Sequence, residues 1–98
     1  MSNSFIYVIG PKNTNIVKIG FSRSPIKRLK SLQTGHPNPL TLYYQKEIKA
    51  DKAKLFEGLI HKTIKHLRIN GEWFLLTPEE ATMEVDFAFI RYENEHLI

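Results

Sequence analysis

Tyr7, Lys18, Arg28, Glu57 and His61 are the residues whose types and spacing in this chain could do chemistry together. Tyr7 and Lys18 fall in two β-rich runs, Phe5–Ile9 and Ile16–Gly20, separated by the turn formers GPKNTN, which reads as a hairpin. If Ile9 pairs with Ile16, Tyr7 faces Lys18, Val8 faces Val17 and Ile6 faces Ile19. The apolar quartet Ile6, Val8, Val17 and Ile19 then shares the core face, and Tyr7 and Lys18 sit side by side on the other. A slip of one residue would drop Lys18 among the core residues. A phenol beside an ammonium is a proton-transfer pair: free tyrosine has a pKa of about 10, and an adjacent cation favours the phenolate. The lysine amine is the alternative base. Arg28 carries a planar, permanently charged fork that suits two oxygens of a phosphate. Glu57 and His61 lie one helical turn apart on one side of a helix.

Each of these residues also has an ordinary reading. Tyr7 alone is an exposed strand tyrosine, and Arg28 belongs to the basic run Lys27-Arg28-Leu29-Lys30. Glu57 has Lys54 as an i,i−3 partner, and His61 alone is a surface histidine. The joint arrangement is what favours a site. His36, His66 and His96 lack such company and read as structural or solvent-facing.

The elements that would position these residues can be read in order. Ser24-Pro25 starts a helix with serine as N-cap and proline in the first turn, running from about Pro25 to Thr34 and stopping at Gly35. Its stripe is Ile26, Leu29 and Leu32, with Arg28 at the edge. Leu40–Ile48 forms a third strand. Asp51 caps a helix from about Lys52 to Leu67, with Leu55, Phe56, Leu59, Ile60, Ile64 and Leu67 covering one half of it. Glu57 lies just outside that apolar sector, near His61, Lys54 and Lys65. Asn70-Gly71 marks a turn, Trp73–Leu76 a short strand or extended stretch. Thr77-Pro78-Glu79-Glu80 is a capping box that opens a last helix to about Glu95. The order β-β-α-β-α-(β)-α is an α+β fold with a small, mostly antiparallel three-stranded sheet flanked by helices.

Ninety-eight residues make a single domain, 1–98, with its core at about 5–76 and an acidic last helix at about 78–95. With no cysteine, disulfides, zinc ribbons and thiol nucleophiles are excluded. No apolar run approaches the ~18 residues of a membrane span, and no secretion signal is present, so a cytoplasmic location is expected. Charge is segregated. Residues 1–70 hold 13 Lys/Arg against Glu47, Asp51 and Glu57, whereas 71–98 hold Arg91 against 7 Asp/Glu. That split suggests a body facing a polyanion and an acidic helix turned away from it. The last helix also carries Phe87, Phe89, Ile90 and Tyr92, more than one buried stripe requires, which suits a homodimer through that helix.

Phe5-Ile6-Tyr7-Val8-Ile9, Lys18-Ile19-Gly20, Arg28 and Glu57 together resemble the GIY-YIG nuclease superfamily in order and spacing. The closer likeness is to its short phage and bacterial branch, in which Lys-Ile-Gly replaces Tyr-Ile-Gly. KIGFSRSPIKRLKSLQTG, Glu57-x-x-x-His61 and Gly71-Glu72-Trp73-Phe74 are similar to patterns of that branch. The superfamily's first glycine is Phe5 here, its second-motif tyrosine is Lys18, and Asn70 is the loose counterpart of its late asparagine. The resemblance implies a DNA endonuclease that hydrolyses phosphodiesters with one divalent ion, Mg2+ or Mn2+. It implies that Tyr7 or Lys18 serves as the base, Arg28 contacts the scissile phosphate, Glu57 holds the metal, and His61 orients a phosphate or water. Arg23, Lys27, Lys30, Lys54 and Lys65 would bind nucleic acid, DNA rather than RNA, with Glu72 as a secondary polar contact. The alternatives are a nucleic-acid-binding module with an idle site, or an interaction domain dimerising through the last helix.

Overall fold

A computed structural model describes residues 3–94. Strands β1 (Asn3–Pro11) and β2 (Ile16–Ser22) form the expected antiparallel hairpin, but its register is two residues away from the expected one. Val8 pairs with Ile19, Ile9 with Lys18, and Tyr7 with Gly20 instead of Lys18. A slip of two preserves parity. Ile6, Val8, Val17 and Ile19 therefore still share one face and are fully buried. The apolar pattern fixes which face is buried but leaves the even offset free. The turn decides the offset, since strands reaching Pro11 and Ile16 leave only Lys12–Asn15 as a loop, with Asn13 at φ 60°.

Helix α1 (Pro25–Thr34) begins as expected, with the Lys27 N–H donating to Ser24 Oγ. Its inward stripe is Pro25, Leu29 and Leu32, while Ile26 is 52% exposed, a correction to the expected face. Pro25 fills the i−4 position to Leu29, so the stripe is rotated by one residue. α1 covers the second face of the hairpin, where Tyr7, Ile9 and Leu40 pack with Leu29, Leu32, Leu42 and Trp73. Tyr7 is thus 1% exposed, and not the exposed strand tyrosine of the ordinary reading.

Strand β3 (Leu40–Lys49) pairs antiparallel with β1, with an irregularity between Val8 and Ile9. Helix α2 (Ala50–Thr63) starts from an extended Lys49 and has no side-chain cap; Asp51 lies in its first turn, where it favours the helix dipole without capping. α2 ends earlier than expected. At Ile64 the chain tightens into a 3-10 turn, Lys65–Leu67, and Arg68 is already extended. Leu55 is exposed, so the buried set on α2 is Ala53, Phe56, Ile60 and His61.

Arg68–Asn70 (β4) and Trp73–Leu75 (β5) form a small hairpin around Gly71, whose φ of 54° suits glycine. The sheet consequently has five strands, in the order β3-β1-β2-β5-β4, with antiparallel pairing throughout, where the sequence led us to expect three. Helix α3 (Pro78–Asn94) opens with the expected capping box: Glu80 N–H donates to Thr77 Oγ1, and Thr77 N–H donates to Glu80 Oε1. The expected helix end at Glu95, and His96, lie outside the described residues. α2 and α3 bury the main core of Ile6, Val8, Val17, Ile19, Phe56 and Phe89 opposite α1. Tyr44 Oη and Lys46 Nζ both donate to Asp86, so part of the acidic helix is tied back to β3. No helix among the described residues is long and apolar enough to cross a membrane.

Candidate active site

The candidate residues gather where the sheet stops covering β2. Strand β5 has only three residues and pairs with β2 from Ile16 to Lys18. Beyond that point the outer edge of β2 needs other partners for its backbone groups. The Ile19 N–H donates to the Glu72 carbonyl at 3.1 Å, and His61 Nε2–H donates to the Ile19 carbonyl at 2.7 Å. The Phe21 N–H faces the Glu57 carboxyl group. Three residues from two other elements are thereby drawn to one short length of strand edge.

Gly20 is what lets Tyr7 reach this edge. It is the direct partner of Tyr7, and a β-carbon there would stand 2.5 Å from Tyr7 Oη and 2.7 Å from its Cζ. The phenol therefore lies across the space a side chain would fill. The same β-carbon would be 3.0 Å from Glu72 Oε1, so the hydroxyl and that carboxylate converge above Gly20. Lys18, two residues along β2 on the same face, is 7% exposed; its Nζ is 2.9 Å from Glu72 Oε1 and 5.8 Å from the centre of the Trp73 ring. Burial pushes the Tyr7 phenol up, the nearby Arg28 guanidinium opposes that, and Glu72 and Glu57 add to it. Without a further cation, the phenol is the resting form.

Glu57 comes from α2 on the opposite layer and meets the others around the edge of β2. Its pKa is pushed up to about 7, chiefly by burial, then by the Glu72 carboxylate, while Lys18 and the Phe21 N–H pull the other way. Glu57 Oε2 is buried with no hydrogen-bond partner, and no ion pair joins Glu57 to Lys54 among the described residues. His61 is not a surface histidine. Its ring is buried against Phe74, with Nε2 committed to Ile19 and Nδ1 4.0 Å from Glu57 Oε1. Burial lowers its pKa; Arg68 and Lys18 add to that, while the Ile19 carbonyl and Glu72 oppose it.

All five sequence-derived residues, Tyr7, Lys18, Arg28, Glu57 and His61, thus belong to one neighbourhood. Arg23, Lys27, Lys30, Lys54 and Lys65 are exposed, and none forms an ion pair among the described residues. Asn70 is exposed and pairs with Trp73 in the outer hairpin. Glu72 is the residue that sequence reasoning underweighted. It was counted with the acidic C-terminal charges and kept only as a secondary contact, yet it bonds Lys18 and acts on Tyr7, Glu57 and His61 alike. Its signal was its place directly after the Asn70-Gly71 turn, which hangs a carboxylate at the end of a very short strand.

An orphaned, buried carboxyl oxygen whose proton affinity is raised by burial and by a nearby carboxylate suits a divalent cation. Glu57 is the residue placed to hold it. Among the described residues no three His, Cys, Asp or Glu side chains cluster as metal ligands, so water and a phosphate would have to complete the shell. Neither a curated protein nor a solved structure matches the chain. Residues 4–88 match a domain family that occurs in phage and bacterial proteins and is associated with nuclease-like proteins. With most of its length matched, from β1 into α3, the chain belongs to the T5orf172 domain family.

Proposed function

We propose that this domain is a metal-dependent DNA endonuclease of GIY-YIG type, cutting phosphodiester bonds at the β2 edge. The observation that supports it most is the convergence of Tyr7 Oη and Glu72 Oε1 above Gly20, with Lys18 Nζ on that carboxylate, Arg28 at the Tyr7 hydroxyl, and the unpartnered Glu57 Oε2 on the same strand edge. Arg28 binds the scissile phosphate through its guanidinium, beside the Tyr7 hydroxyl. Tyr7 orients the attacking water, and either Tyr7 or Lys18 is the proton acceptor. Glu57 and the substrate phosphate hold one Mg2+ or Mn2+, which when bound supplies charge neutralisation at the phosphate. His61 braces α2 against β2 through the Ile19 carbonyl and faces Glu57 with Nδ1 at 4.0 Å, near enough to share a water or phosphate with it. Exposed Arg23, Lys27, Lys30, Lys54 and Lys65 provide the polyanion contacts around this centre.

Nicking of supercoiled plasmid tests the reading. Conversion to open circles with Mg2+ or Mn2+, abolished by chelation, is expected. Salt-sensitive binding with no cutting under any divalent metal would instead identify a binding module with an idle site.

A second reading concerns assembly. Met83, Phe87 and Ile90 project large apolar side chains from the exposed side of α3, at 53%, 57% and 59% exposure. Spacings of four and three place them on one stripe, which supports a homodimer through this helix. A solution mass equal to that of one chain at high concentration removes it.

A further inference from the structure

We propose that Glu72 is a positioning residue of this site: it holds the Lys18 ammonium as a cation on the Tyr7 face of β2, so that Lys18 is not the proton acceptor. The inference rests on the nuclease reading and goes beyond it by assigning the Glu72 carboxylate and choosing between the two roles open to Lys18.

Lysine has a long, flexible stem and ordinarily carries its charge out to water. Here the side chain stays on the Tyr7 face of β2, only 9% exposed, with Nζ 2.9 Å from Glu72 Oε1. The Trp73 ring, 5.8 Å away, backs it on the adjoining strand. Glu72 is itself anchored, because its carbonyl accepts from the Ile19 N–H at 3.1 Å and the turn before it uses Gly71 at positive φ. The backbone of Glu72 is thus fixed at the β2 edge, and of the two paired side chains it is Lys18 that is buried, at 9% against 38% for Glu72. Its other neighbours are the reacting groups. Oε1 and Tyr7 Oη would both crowd a β-carbon at Gly20, and Glu72 also acts on Glu57 and His61. An ion pair placed only for stability has no need of that position, and a pair with one partner open to solvent is a weak source of stability. An ammonium that donates to a carboxylate has no lone pair to take the proton of water, yet it remains a positive charge on the face of β2 that carries the site.

Glu72→Gln keeps the shape of the side chain and removes the charge. The expected result is a nicking rate lower by roughly 10- to 100-fold, as small displacements of reacting groups cause, with partial recovery in Glu72→Asp. The rising limb of the pH–rate profile should not move to lower pH. If Glu72 acts through Lys18, adding Glu72→Gln to Lys18→Met lowers the rate no further than Lys18→Met alone. A readout independent of cutting is amine acylation followed by peptide mapping: Lys18 should label slowly in the natural chain and faster in Glu72→Gln. A wild-type rate in Glu72→Gln, a faster rate, or a rising limb shifted to lower pH overturns the inference and leaves the nuclease reading standing. Absence of nicking by the natural chain defeats that reading and the inference with it, even if Lys18 labelling behaves as expected.

Discussion

Glu57 carries a proton into the folded chain at pH values where a free carboxyl group has lost it. Its pKa stands at about 7 when folded, against 4.5 ordinarily. The stability it contributes is therefore complete below the lower value and lost as pH rises through the higher one. In chelator, urea denaturation should show stability falling as pH is raised across that window, by at most about 3 kcal/mol, and Glu57→Gln should remove most of the fall. His61 works in the opposite sense: its lowered pKa costs stability as pH drops below its ordinary 6.5. The difference between the natural chain and Glu57→Gln is the quantity that isolates Glu57. A second expectation at this scale concerns Gly20. Gly20→Ala must displace the Tyr7 ring from a 2.5 Å contact, so it should destabilise the fold by roughly 1–3 kcal/mol and depress nicking as well. Denaturation and plasmid assays measure the two effects. At the residue scale, apolar parity puts Tyr7 and Lys18 on one face of the hairpin and helical spacing puts Glu57 near His61, and the structure has both placements. The sequence could not rank Glu72, whose importance comes from where β5 ends.

The elements were legible where they carry their own chemistry. Ser24-Pro25 and Gly35 bracket α1, and Thr77 with Glu80 opens α3 through two reciprocal hydrogen bonds. Thr77→Ala should cost about 1 kcal/mol in urea denaturation, and because α3 lies across the sheet from α1 it should leave the nicking rate unchanged at temperatures well below melting. What the sequence left open were offsets and pairings. The β1–β2 hairpin kept its faces but moved by two residues, because alternation specifies parity and the four-residue loop around Asn13 specifies the count. Arg68–Asn70 lacks an apolar alternation of its own, and it becomes a strand only because β5 offers an edge. On α1, the ring of Pro25 took the inward place that the stripe assigned to Ile26.

Across the whole molecule, charge and layering agree in part. Arg23, Lys27, Lys30, Lys54 and Lys65 are exposed, whereas Lys18 is buried and Lys46, with Tyr44, is tied to Asp86 of α3 on the far layer. DNA affinity should fall steeply with salt, and Lys27→Ala and Lys30→Ala should each lower the slope of log K against log salt by about 1 if they touch phosphate; fluorescence anisotropy with a labelled duplex measures this. Glu72 belongs by position to the acidic segment 71–98, yet its carboxylate pairs with Lys18 of the basic segment. The central claim is that Glu57 serves cutting and not binding. The most direct test compares the natural chain with Glu57→Ala on one supercoiled plasmid, with binding measured on the same preparations in Mg2+ or Mn2+. Nicking by the natural chain and its loss in Glu57→Ala, with DNA affinity retained, are the expected results. Nicking by Glu57→Ala at the natural rate, or loss of binding and cutting together in a folded variant, would contradict the claim.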